Sequence, residues 1–281
     1  MTTEHQIVRG LSDRIVAAQL PIRILDGIKW DENVKAAFFK KGGKELPEVD
    51  LTYYQQYPLP YKPEVKIAEF RSIIRDTKNH LGQYSPISQI MVQRCEDYIK
   101  AVEMLDERGT PHFSQLSMEL YGSPDDAFNP GGPRLSELGS LLEGTLQTLS
   151  KEIVSDADVK RFTAEETVEI LRVKLSSYFT HHQKNFVRLS DNIIADAAAG
   201  AESIKINANS TFSERDLKYL EVHEGWVHLG TTLNGTSQPY CTFLGKGTPP
   251  SSITQEGLAV IAEIFTFSSY PVRMLKIINR V

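Results

Sequence analysis

The chain has 281 residues, 41% of them hydrophobic, long enough to bury a sizeable core as one large domain or two closely packed ones. Its net charge is −5, and no Lys/Arg cluster interleaved with aromatics offers a phosphate-binding footprint, which argues against a nucleic-acid partner. No stretch nears the roughly 18 consecutive apolar residues of a membrane span, and Met1 to Leu20 lacks the apolar run of a signal peptide. Cys95 and Cys241 fit neither a disulfide framework nor a Cys-x-x-Cys pattern. The expectation is a cytoplasmic protein with free thiols and no membrane partner.

From Gln6 to Leu20 the apolar residues recur mostly at every fourth position, one face of a helix that Pro21 stops. Ile22 to Phe39 is less regular, and Lys40-Lys41-Gly42-Gly43-Lys44 reads as a solvated turn. Four prolines and Tyr53, Tyr54, Tyr57 and Tyr61 between Pro47 and Pro63 predict an ordered connector that resists regular structure. Helical spacing with Gly or Pro near the ends predicts scaffold helices over Val65 to Leu81, Ile87 to Arg108 and Phe113 to Tyr121. Gly122 to Arg134, with Pro130-Gly131-Gly132-Pro133, is the strongest loop and the expected boundary between an N-terminal helical region, 1–122, and a second region, 123–281.

Helices are expected again from Leu135 to Val154 and from about Ala164 to His181, the second opened by a Thr163-x-x-Glu166 capping box. His181-His182 reads as structural, because adjacent residues on a helix point about 100° apart and histidine suits a helix C-terminus. Val187-Arg188-Leu189 and Ser203 to Asn207 alternate apolar with polar residues, which predicts a small antiparallel sheet. Ser213-x-x-Asp216 then opens a helix running through Leu217, Leu220 and Val222. Asn234 to Pro250 reads as a loop, and Ser252-x-x-Gln255 as the capping box of a helix from about Ile253 to Phe267.

The chemistry concentrates in Glu221-Val222-His223-Glu224-Gly225-Trp226-Val227-His228. Neutral imidazole is the commonest protein ligand for zinc, and a carboxylate beside the metal can take a proton from water. A His-acid-x-x-x-His match is expected by chance only about 0.02 times in a chain of this composition. The two histidines stand five apart, which on a regular α-helix rotates them about 140° from each other, too far for convenient chelation. A π-bulge or a local end to the helix must therefore absorb the extra residue. Gly225, inside the motif, would lower the steric cost of that distortion.

Glu256 supplies a third ligand. It is expected in the first turn of its helix, with Gly257, Ala259 and Ala262 small enough for close approach to a neighbour. Glu263, seven residues on, shares its face and could orient a ligand imidazole. The plainer alternatives are an acidic first-turn residue favoured by the helix dipole and an exposed charge. With three protein ligands, zinc keeps a position for water, and Glu224, beside a ligand, is the expected general base.

Leu20-Pro21-Ile22-Arg23-Ile24-Leu25-Asp26-Gly27-Ile28-Lys29-Trp30, the His-Glu-Gly-Trp-Val-His core from His223 to His228, and Gln255-Glu256-Gly257-Leu258-Ala259 together resemble one family. It is that of the flavohaemoglobin expression-modulating QEGLA-motif proteins, whose eukaryotic relatives include the microtubule-associated tyrosine carboxypeptidases. The resemblance implies zinc on His223, His228 and Glu256 with Glu224 catalytic, and a carboxypeptidase acting on peptide or protein C-termini, tyrosine in those relatives. It also implies a longer C-terminal part than the amphipathic Val272 to Val281, so a truncated form is expected. The fold class follows as α+β and predominantly helical, a zincin-like metallopeptidase with a small antiparallel sheet before the metal helix and the catalytic region in 123–281.

A carboxypeptidase needs a cation for the terminal carboxylate, and Arg273 and Lys205 are the local candidates. Tyr240 or Tyr270 could donate to the oxyanion, although a core or rim tyrosine is the simpler reading of each. The competing functions are a non-catalytic regulatory or binding protein that modulates flavohaemoglobin expression, and a zinc hydrolase of non-peptide amides.

Overall fold

The computed structural model describes residues 3–150, 156–179, 186–191, 193, 195–200 and 203–279. Two compact units account for them: 1–122 with 239–243 and 248–250, and 123–238 with 244–247 and 251–281.

In the first unit the helical spacing becomes α1 (Thr3–Gln19), which buries Val8, Leu11, Ser12, Ile15 and Ala18 along one face. Three long helices follow, each entered through a proline whose missing N–H costs nothing at a first helical position: α5 (Pro63–Leu81), α6 (Pro86–Asp106) and α7 (Pro111–Tyr121). Gly82 and Gly122 end α5 and α7 with φ of 75° and 84°, a conformation that favours glycine. Their shared core holds Phe70, Met91, Leu105 and Phe243, with Phe70 stacked on Tyr98 at 5.5 Å between centroids.

The stretch expected to be irregular contains three short helices, α2 (Ile24–Ile28), α3 (Glu32–Lys40) and α4 (Leu51–Gln55). Aspartates start two of them. The Asp31 and Asp50 carboxylates accept from the N–H groups of Val34 and Tyr53, each at 2.9 Å, satisfying donors that a helix start leaves open. Such capping needs no apolar period, so the pattern of hydrophobic residues did not reveal it.

The second unit begins with α8 (Leu135–Ser150) and α9 (Ala164–Ser176). The Thr163–Glu166 capping box forms, with Thr163 N–H donating to the Glu166 carboxylate at 2.8 Å and Glu166 N–H to the Thr163 hydroxyl at 3.2 Å. His181 and His182 lie outside the described residues.

Three strands, β1 (Val187–Ser190), β2 (Ala197–Ala199) and β3 (Ile204–Asn207), form a sheet in the order β1-β3-β2. It is mixed, not antiparallel as expected: β2 pairs antiparallel with β3, and β1 pairs parallel with β3, Val187 opposite Ile204. The reason is β2 itself. Its three alanines carry no apolar–polar alternation, so it was not legible, yet it adds a second chain reversal between β1 and β3 and so aligns them.

The motif from Glu221 to His228 lies on one continuous helical rod of three parts: α10 (Glu214–Leu220), a π-helix (Glu221–Leu229) and α11 (Gly230–Thr236). Ser213 and Asp216 close the capping box that starts it. Its Leu220 and Leu229 join Leu171, Leu175, Ile204, Ile206 and Phe212 in the core of this unit. Two helices complete the unit, α12 (Pro249–Phe265) and α13 (Pro271–Ile278). The α12 start differs from the expected capping box, because prolines 249 and 250 fit a first helical turn and carry the helix past Ser252. Among the described residues the architecture is mostly helical with one small mixed sheet, and no helix is long and apolar enough to cross a membrane.

Candidate metal centre

The five-residue histidine spacing is accommodated by nine residues of π-helix. Its i→i+5 hydrogen bonding widens the turn, so residues five apart return to nearly the same side. The Gly230 N–H donates to Gly225 O, one such bond. His223 and His228 consequently face each other, with ring centroids 4.8 Å apart and planes at 72°.

Gly225 plays a different part from the one expected of it. Its φ is not in the left-handed region, so the π-turn does not need glycine's backbone freedom there. A Cβ at Gly225 would lie 2.5 Å from Leu175 Cδ2 and 3.1 Å from its Cδ1. Glycine lets the π-helix lie directly on α9.

The donor atoms converge from both sides of Glu256. His223 Nε2 is 3.5 Å from Glu256 Oε2, and His228 Nε2 is 3.3 Å from Glu256 Oε1. Both Nδ1 atoms are turned away to other partners: that of His223 to Glu263 Oε1 at 2.7 Å, and that of His228 to Gln255 Oε1 at 3.3 Å. Since a carboxylate and an amide oxygen accept, each Nδ1 is the proton-bearing nitrogen toward its partner, and each Nε2 is the atom turned toward Glu256. One donor atom from each of His223, His228 and Glu256 lies within 4.8 Å of the others. Imidazole and carboxylate ligands bind metals of the zinc type at about 2.0–2.2 Å, which puts tetrahedral donors about 3.3 Å apart. The triad therefore fits a divalent metal ion, and these residues could hold one.

Glu256 is not in a first turn, as α12 begins seven residues earlier, so the helix dipole does not account for its position. Gly257 has no neighbour within 4 Å of where a Cβ would be, whereas Ala259 is fully buried. The expected close approach of small residues thus narrows to Ala259.

Charge in the cluster is strongly coupled. Burial alone would lower His223, but hydrogen bonds to Glu256 and Glu263 and the nearby Glu224 outweigh it and raise the imidazole to about 9. His228 is raised in the same way, burial being outweighed by Glu256 and Glu224. The two imidazoles hold Glu256 well below the usual carboxylate range. Glu224 goes the other way: burial pushes it up, and the imidazoles and the Ala199 N–H offset only part of that. One oxygen of Glu224, Oε2, accepts from the Ala199 N–H of β2 at 2.7 Å, while Oε1 stands 4.0 Å from His223 Nε2. The edge strand holds this carboxylate beside the triad without making it a member.

Glu263 is fully buried under His223. Arg273 reaches it from α13, its Nη2 donating to Glu263 Oε1 at 3.0 Å, and its guanidinium lies 4.4 Å over the Tyr219 ring. Arg273 is thus neither a surface charge nor a cation on the open side of the triad. Lys205 stands on the face of β3 opposite Ile204 and Ile206, the residues that pack with Leu220 and Leu229 of the metal helix, and is not gathered with the triad. The Tyr270 hydroxyl donates to Asp216 Oδ1 at 3.0 Å, and Tyr240 belongs to the other unit, stacked on His5 at 4.2 Å.

Two participants had no sequence signal of their own, Ala199 through its backbone N–H and Tyr219, whereas Gln255 was read as a capping-box and motif residue and not as the partner of His228.

Residues 36–281 match a family model described as microtubule-associated tyrosine carboxypeptidase. No curated protein and no solved structure matches the chain.

Proposed function

The chain belongs to the microtubule-associated tyrosine carboxypeptidase family, and from that premise we propose that it is a zinc-dependent carboxypeptidase acting on the C-terminus of a peptide or protein. The catalytic region is 123–281, arranged in a zincin-like way. The observation that carries the reading is the convergence of His223 Nε2 and His228 Nε2 on the two Glu256 oxygens, with both Nδ1 atoms already engaged. Two nitrogens and a carboxylate are the ligand set of a catalytic rather than a purely structural zinc site.

His223, His228 and Glu256 would hold the metal. When bound, zinc supplies Lewis acidity toward the scissile carbonyl and makes an attacking water more acidic. Glu224 does the proton work. Its Oε2 is fixed by Ala199, which leaves Oε1 to take a proton from water and return it to the leaving amide nitrogen. Burial raises Glu224, so it is a stronger proton acceptor than an exposed carboxylate and a competent donor in the second step. Glu263 orients His223 and Gln255 orients His228, which fixes the tautomer that points Nε2 inward.

Metal analysis of purified protein, joined to digestion of peptides with free or amidated C-termini read by mass spectrometry, tests the proposal. Stoichiometric zinc, release of the last residue from free C-termini only, and loss of that release in Glu224→Gln with zinc retained are expected. A metal-free wild-type protein, or a Glu224→Gln variant as active as wild type, would sink it. Equal cleavage of amidated peptides would leave a zinc amide hydrolase that is not a carboxypeptidase.

A further inference from the structure

Arg273 sits at the third position of α13 and is 9% exposed, an ionised side chain removed from water. Its Nη2 donates to Glu263 Oε1 at 3.0 Å, and its Nε lies 3.4 Å from Oε2. The same Oε1 accepts from His223 Nδ1 at 2.7 Å, and Arg273 Nη2 is 3.4 Å from that nitrogen. Glu263, the middle of this chain, has no exposed surface. A two-pronged guanidinium fixes the plane of a carboxylate where a single donor would let it rotate. The guanidinium is itself held, because its central carbon lies 4.4 Å from the centroid of the Tyr219 ring, one turn before His223 on the same helical rod.

The approach to α13 is pinned to α10 at two further points. Lys218 Nζ donates to Phe267 O at 3.0 Å, and the Tyr270 hydroxyl donates to Asp216 Oδ1. Neither bond touches a ligand imidazole. Arg273 is where the docking of α13 meets the metal centre.

We infer that Arg273 is a positioning residue: clamped between Tyr219 and Glu263, it locks the Glu263 carboxylate and through it the orientation of His223, so that the seating of α13 sets how tightly the site binds metal. This rests on the metal reading proposed above. Its substance is orientation. With Arg273 in place the carboxylate has one rotamer and His223 Nε2 one direction. Without it, Glu263 keeps only the imidazole as partner and both can turn.

The test measures zinc affinity by chelator competition, the visible spectrum of the cobalt-substituted protein, and the unfolding midpoint of the metal-free protein, in the wild type and in Arg273→Met, Arg273→Lys, Tyr219→Phe and Thr163→Ala. Arg273→Met should weaken zinc binding by about 10–100-fold, the range for loss of a group supporting a ligand, and alter the cobalt bands. Arg273→Lys, with the charge but not the two-pronged hold, should fall between it and wild type, and Tyr219→Phe, which keeps the ring face, should match wild type. Thr163→Ala removes the cap of α9 and should lower the metal-free midpoint while leaving zinc affinity alone. Wild-type zinc affinity and cobalt spectrum in Arg273→Met would overturn the inference, as would a loss in Thr163→Ala as large for the same destabilisation. If Arg273→Met does not fold, Arg273→Lys carries the same decision. A wild-type protein that binds no zinc overturns the metal reading and this inference together, whereas an unaffected Arg273 series on a zinc-binding wild type overturns this inference alone.

Discussion

Replacing Gly225 by alanine adds one methyl group at the point where the metal helix lies on α9. The Cβ would stand 2.5 Å from Leu175 Cδ2, 3.1 Å from Cδ1 and 3.4 Å from Cγ, against an optimum of about 3.5–4.0 Å for carbon pairs. The two surfaces must part by about 1 Å, or the leucine must change rotamer. Leu175 has no exposed surface and is packed among Leu171, Ile204 and Phe212, so it has little room to turn. Overpacking of this kind costs about 1–3 kcal/mol, and alanine's helix preference over glycine returns up to about 1 kcal/mol. A net destabilisation of about 1–2 kcal/mol is expected.

A double-mutant cycle isolates the clash. Leu175→Ala alone should cost about 2–5 kcal/mol through the cavity it leaves, but adding Gly225→Ala to it should be neutral or stabilising, because the new methyl then enters empty space. Urea unfolding of the metal-free single and double mutants, with an unchanged slope as the check on two-state behaviour, measures the coupling. Additive single effects, or a Gly225→Ala variant as stable as wild type, would refute the view that this glycine is kept for close approach.

Glu256→Gln should reduce zinc content, because the amide oxygen that replaces one carboxylate oxygen is a weaker metal donor; metal analysis checks this, and a wild-type zinc content would contradict the ligand assignment. Asp216 is held below the usual carboxylate range, burial being outweighed by the Lys160 ammonium and the Ser213 N–H and hydroxyl. A depressed folded pKa gives stability that is fully present above the ordinary value of about 3.9 and lost as pH falls through the lower folded value. The gap in thermal midpoint between wild type and Asp216→Asn should therefore be widest near neutral pH and shrink below about pH 4, and a gap independent of pH would contradict this. Thr163→Ala opens the capping box of α9 and should cost about 1 kcal/mol in urea unfolding with zinc content unchanged.

The long helices were legible because their ends carry proline and glycine in positions that have one physical use, as at Pro63, Pro86, Pro111, Gly82 and Gly122. Where those residues serve another purpose the reading failed. The prolines around α4 masked a helix started by Asp50, and prolines 249 and 250, taken for loop, are the first turn of α12. Strand β2 was hidden because an all-alanine segment has no alternating face. In the candidate site the grouping of His223, His228 and Glu256 could be expected from chemistry alone, since few other arrangements need two imidazoles and a carboxylate. Tyr219 and the Ala199 N–H could not, because a neighbour chosen by the fold leaves no pattern in its own stretch of chain, and Gln255 stood in a motif without its bond to His228 being visible. Arg273 shows the same limit from the other side: its proximity to α12 in sequence was visible, but not that it lies behind the imidazole instead of in front of it.

The π-helix joins these levels. Histidines five apart on a regular α-helix would diverge by about 140°, so the spacing demands a distorted helix, but it does not say what would hold one. Three kinds of contact do. At its start Lys174 donates to Glu221 at 2.6 Å, tying the first π-turn to α9. In its middle Gly225 rests on Leu175, which a β-carbon would forbid. On its metal-facing side His223 and His228 are engaged at Nδ1 by Glu263 and Gln255 of α12. None of these contacts involves the ion. A metal entering such a site has only to meet three donors already aimed at one point, whereas one that had to wind the π-turn itself would bind more weakly by whatever the distortion costs. The wide turn and the ligand geometry are thus one feature of the chain, made by α9 on one side of the metal helix and α12 on the other, with Arg273 fixing the deepest of the supporting groups.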